Sequence, residues 1–89
     1  MSYDEAVARL RTWAGRRVVV RLEPETSVME GVLSELPSEG LDGALFAVDA
    51  HVRSGIALAL FRDGVDAARE EDGALVVEQG RVTVTVTPA

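Results

Sequence analysis

Cysteine, lysine and asparagine are all absent from the chain, and each absence removes a class of chemistry. Without cysteine there is no disulfide staple, no thiolate metal site and no cysteine nucleophile, so the core must stand on packing alone. Without lysine no Gly-Lys-Ser or Gly-Lys-Thr phosphate loop exists, and the glycines on either side of Asp42 form no nucleotide cradle. Long apolar runs are missing too. The longest, Ile56 to Phe61, is far too short to cross a bilayer, and the opening Met-Ser-Tyr-Asp-Glu has no basic stretch followed by an apolar one. A soluble, cytoplasmic protein with no membrane contact is expected. Histidine occurs once, as His51, and Ser54 three residues on gives no spacing with mechanistic meaning. The acidic run Glu70-Glu71-Asp72 lacks the layout of a calcium loop. No catalytic residue, metal ligand or cofactor is therefore expected. An enzyme would need an apolar pocket built around His51.

What is present is one folding unit of 89 residues, 47% hydrophobic, with 15 acidic against 9 basic side chains and a net charge of −6. The basic residues are all arginine, which fits genomic bias better than any functional use. This charge opposes broad contact with phosphate backbones, because the overall field repels a polyanion and each neutralised phosphate needs a local cation.

The chain divides at Gly15. Before it, Tyr3, Ala6, Val7, Leu10, Trp13 and Ala14 recur at three- and four-residue steps, opposite Asp4, Glu5, Arg9 and Arg11. This predicts an amphipathic helix from Ser2 to Ala14. Ser2 is the N-cap with Glu5 at capping-box spacing, and Gly15 stands at the left-handed C-terminal position. Trp13, the only Trp, lies on the apolar stripe and is expected to close one end of the core.

After Gly15 the period changes to two. In Arg16–Leu22, Val18, Val20 and Leu22 alternate with Arg17, Val19 and Arg21, the pattern of a half-buried strand. Further strands are predicted at Val28–Leu36, where Gly31 marks a bend or bulge, and at Ala44–Ala50 and Ile56–Arg62. The last of these is apolar on both faces, so the helix or a second subunit is expected to cover it. Asp66–Gly73 has an Asp cap, helix formers and a terminal Gly, which makes a short helical turn at least as good a reading as a strand. Ala74–Glu78 and Arg81–Thr87 flank Gln79-Gly80 as a hairpin, and Val82, Val84 and Val86 alternate strictly with threonines.

A capped helix leading into Gly15-Arg16-Arg17-Val18-Val19-Val20-Arg21-Leu22 and then Gly31-Val32-Leu33 resembles the opening of the Sm-like (LSm) family over roughly the first forty residues. The resemblance implies a mostly β (α+β) fold: an N-terminal helix and a strongly bent, five- to six-stranded antiparallel small barrel of SH3-like kind. It also implies assembly into a homo-oligomer, a dimer or ring, through edge strands, and contact with RNA. The family's second motif can be laid on Leu60–Val65 or on Val77–Val82, and its base-binding loop falls on Asp49-Ala50-His51-Val52-Arg53, with Arg53 where the family has Asn. By that resemblance His51 stacks on a base and Arg53 contacts its edge or a phosphate, with Arg62 a third nucleic-acid-binding residue. Such a role requires Arg16, Arg17, Arg21, Arg53 and Arg62 to converge. The rival expectation is an acidic protein-protein adaptor or accessory subunit whose arginines are dispersed among carboxylates.

Overall fold

The computed structural model describes residues 1–50 and 54–89. Among the described residues one helix, α1 (Tyr3–Thr12), precedes seven strands: β1 (Arg17–Glu23), β2 (Ser27–Leu36), β3 (Gly43–Ala50), β4 (Ser54–Phe61), β5 (Val65–Glu71), β6 (Ala74–Gln79) and β7 (Val82–Pro88). α1 begins where its cap dictates. The Ser2 hydroxyl accepts from the Glu5 backbone N–H at 3.1 Å while the Glu5 carboxylate accepts from the Ser2 backbone N–H at 3.0 Å, so two otherwise orphaned donors are satisfied reciprocally. The backbone hydrogen bond to Ser2 holds the Glu5 carboxyl below the usual carboxylate range. Gly15, at φ 84, turns the chain out of the helix.

All strand pairings are antiparallel and the sheet runs β4-β3-β2-β1-β7-β6-β5. Two meanders, β1 to β4 and β5 to β7, are thus joined where the last strand lies against the first, with Val20 opposite Val86 and Leu22 opposite Val84. β2 lies against β1 from Ser27 to Val32 and against β3 from Val32 to Leu36. The strand changes neighbours next to Gly31, and the register through Gly31 runs without a bulge.

The sheet encloses one core. Val18, Val20, Leu33, Phe46, Val48, Leu75, Val77 and Val86 line its inner face, and Ala6, Val7, Leu10 and Trp13 of α1 fill it from the helix side. No polar or charged residue is buried among the described residues. Trp13 lies in this core, as its place on the helix stripe requires.

Three expectations need correction. The strands number seven, not five or six, because Val65–Glu71 is extended and pairs with β6 throughout. Its helix formers Ala67, Ala68, Arg69 and Glu70 are overridden by Asp72 and Gly73. With φ of 51 and 83, these two occupy the central positions of a tight hairpin that demands positive φ twice. Secondly, the sheet is not closed into a barrel. β4 and β5 are its two ends and do not pair with each other, although only Arg62, Asp63 and Gly64 separate them in sequence. α1 bridges the two sides instead: the Tyr3 hydroxyl donates to the Leu60 carbonyl at 3.3 Å, Asp4 pairs with Arg62, and Arg9 pairs with Glu70 of β5. Thirdly, the β6–β7 turn is Gly80-Arg81, one residue later than expected, with Gln79 opposite Val82 inside the ladder.

Candidate functional site

The end strand β4 is where the molecule departs from a fully paired sheet. It lies against β3 with Leu45 opposite Ala59 and Ala47 opposite Ala57. Ladder bonds alternate along an antiparallel pair, so successive residues direct their backbone groups to the neighbour and then away from it. The Ala59 carbonyl and the Phe61 N–H bond on the side away from β3, which sets the phase. Ala57, Ala59 and Phe61 therefore present their backbone groups to the outer edge.

One side chain occupies the end of that edge. Gln79 is the only carboxamide in the sequence. Its Nε2 donates to the Ala59 carbonyl at 2.9 Å, and its Oε1 accepts from the Phe61 N–H at 2.9 Å. A carboxamide carries a donor and an acceptor in one plane, as a peptide group does, so Gln79 stands in for one step of a missing ladder. The Phe61 carbonyl accepts in turn from the Gly64 N–H at 3.0 Å. The portion from Gly55 to Ala57 has no such cover among the described residues.

Local features hold Gln79 in place. It lies opposite Val65 at the end of β6, and the register shifts between Val65 and Ala67, which makes Asp66 the extra residue of a bulge. The Asp66 carboxylate accepts from the Gly80 N–H at 2.9 Å and so pins the turn that follows Gln79. Gly80 has φ 61 at the first turn position, where such hairpins take glycine.

Behind this edge lies an apolar cavity of about 240 Å³. Leu58 and Leu60 of β4 form one wall and Leu75, Val77, Val82, Val84 and Val86 of β6 and β7 the other, with Leu10 and Leu22 between them. Ala57, Ala59 and Gln79 complete the lining, and none of the described residues in it has a titratable side chain. Along β7 the exposure climbs from 1% at Val86 to 43% at Val82, so the hollow deepens toward α1 and opens near Val82. Outside it, Phe61 is exposed at the end of β4 and Ala57 at its middle. Of the two covers expected for this strand, the helix or a second subunit, α1 does not supply one for the outer face among the described residues; the inner face meets the core.

The charged residues lie elsewhere, and five of the arginines are paired with carboxylates. Arg11 meets Glu35 through two bonds of 2.9 Å; this hydrogen bonding raises the Arg11 pKa and lowers that of Glu35. Arg17 pairs with Glu30, and Arg69 with Glu71 and Glu78. Arg62, one of the three residues proposed for nucleic-acid contact, is engaged in the fold. It bonds Asp4 at 3.2 Å, approaches Asp42 at 3.5 Å and lies 4.7 Å from the Tyr3 ring centre. Asp4 raises its pKa. β3 and β2 stand between β4, which Arg62 follows, and β1, which carries Arg17 and Arg21, so these arginines do not gather into one patch. His51 and Arg53 lie outside the described residues. Among the described residues no cluster of His, Asp and Glu has the arrangement of a metal site, and no helix is long and apolar enough to cross a membrane.

No family model, curated protein or solved structure matches the chain. Sequence reasoning passed over Gln79, assigning it to a turn, and did not anticipate the cavity. The one available sign was compositional: a single side-chain amide at the end of an apolar strand.

Proposed function

We propose that this protein is a non-enzymatic binding and assembly module that self-associates through the outer edge of β4. The supporting observation is that β4 has no charged residue from Ser54 to Phe61 while its middle lies open beside exposed Ala57 and Phe61. Two copies meeting edge to edge there place no carboxylate against another, which matters in a chain of charge −6. Gln79 already occupies the groups of Ala59 and Phe61, so the pairing centres on Ala57. The Sm-like resemblance of Gly15–Leu22 and Gly31–Leu33 agrees with assembly through strand edges, and cysteine-free composition agrees with a cytoplasmic setting. The pairing of five arginines with carboxylates favours protein over RNA as the class of partner.

Light scattering over a concentration series tests the reading. A dimer or ring at micromolar concentration is expected, with the mass unchanged by a uridine-rich oligonucleotide. A monomer throughout contradicts self-association, and a mass that rises only with the oligonucleotide contradicts the preference for protein.

A further inference from the structure

The cavity behind β4 has properties the assembly reading does not use. Its volume, about 240 Å³, exceeds that of the roughly 150 Å³ apolar cavities known to stay dry and take benzene. Water needs two to four polar partners to be held in such a space. Among the described residues Gln79 is the only polar side chain in the lining, and both ends of its amide are engaged by Ala59 and Phe61. The wall thus offers a guest dispersion contacts from leucine and valine side chains and no side-chain hydrogen bond or charge. A ligand carrying a carboxylate, phosphate or hydroxyl into the interior would lose hydration and gain no side-chain partner there, a loss large enough to exclude it. An uncharged hydrocarbon loses nothing of that kind. The exposure gradient from Val82 to Val86 gives it a way in from solvent.

We propose that the cavity between β4 and β6–β7 is a binding site for a small uncharged hydrocarbon group, a bare aromatic ring system or a short aliphatic chain. Gln79 positions its wall: the amide ties the end of β4 to β6 and keeps the two sides of the cleft at a fixed separation. The site lies within one chain and stands whether or not two copies pair.

The test is a titration of the wild-type protein with toluene, naphthalene and benzoate, followed through the leucine and valine methyl resonances and the thermal midpoint. Toluene or naphthalene is expected to shift the methyls of Leu10, Val77 and Val84 saturably. At tenfold excess over the dissociation constant the midpoint rises by about 8 °C for a chain of this size. Benzoate, whose carboxylate must stay at the open mouth near Val82, is expected to shift both less than toluene does. Val84→Phe fills the space and abolishes the naphthalene response; should it fail to fold, Val84→Leu reduces that response instead. The proposal is overturned if neither hydrocarbon shifts these methyls up to its solubility, or if benzoate shifts them equally. It is also overturned if raising protein concentration alone abolishes the naphthalene response, because the space then belongs to a second copy.

Discussion

The two ends of the sheet, β4 and β5, face the same problem and answer it differently. An end strand presents unpaired backbone groups that template association, and proteins blunt such strands with charges, bulges and neighbouring elements. β5 uses all three. It carries Asp66, Arg69, Glu70 and Glu71, bulges at Asp66, and has Glu70 paired to Arg9 of α1. β4 carries no charge between Ser54 and Phe61, and its cover among the described residues is confined to its far end, where the Gln79 amide bonds Ala59 and Phe61 and the Tyr3 hydroxyl meets the Leu60 carbonyl. Under the assembly proposed above, the apolar edge of β4 and not the charged edge of β5 is the one that pairs.

The largest effect that can break this comparison is on assembly. Ala57 directs its N–H away from β3, so Ala57→Pro removes no ladder bond within the chain but deletes the donor at the centre of the proposed contact. Loss of the dimer or ring by light scattering is expected, whereas a further charge on β5, as in Ala67→Glu, should leave the mass unchanged. An unchanged mass in Ala57→Pro would place the contact elsewhere. Next comes Gly43→Ala. A methyl there meets the Leu60 carbonyl and the Phe61 backbone across the β3–β4 pair, so a loss of about 1–3 kcal/mol in denaturant unfolding is expected. Gln79→Leu should cost about 1–2 kcal/mol, two hydrogen bonds with partial replacement by water. It should also lengthen the open edge and strengthen self-association, and a weaker association would contradict the capping role of Gln79.

The smallest effect is on pH. The Glu35 carboxyl is held below its usual value of 4.5 by the Arg11 hydrogen bonds, and Glu5 by Ser2. A depressed carboxylate contributes stability above its unfolded pKa, and that contribution is lost as pH falls through the lower folded value. Thermal midpoints should therefore be level above about pH 5.5 and decline below about pH 4.5. Glu35→Gln should lower the neutral midpoint slightly and make the acid decline shallower; an acid decline of unaltered depth would remove Glu35 from this account.

Local signals made much of the fold legible. Ser2 with Glu5 and Gly15 fixed the helix ends, and Val18-Val20 and Val82-Val84-Val86 announced strands, because each depends on residues a few positions apart. β5 was ambiguous because Ala67–Glu70 favours a helix in isolation, and only the Asp72-Gly73 turn with β6 beside it settles the extended form. The one-residue displacement of the last turn mattered more than its size suggests, since it moves Gln79 from the turn into the ladder. The site was hidden for a related reason. The bonds from Gln79 span 18 and 20 residues, and the cavity joins strands from both meanders, so neither follows from any single stretch of sequence.

Amide hydrogen exchange at Ala57, measured as protein concentration rises, tests the use of the β4 edge most directly. The Ala57 amide should exchange freely in dilute solution and become protected at micromolar concentration, while the outward amides of β5 stay unprotected at both. Protection that appears on β5, or an Ala57 amide that exchanges at the same rate at every concentration, would contradict it.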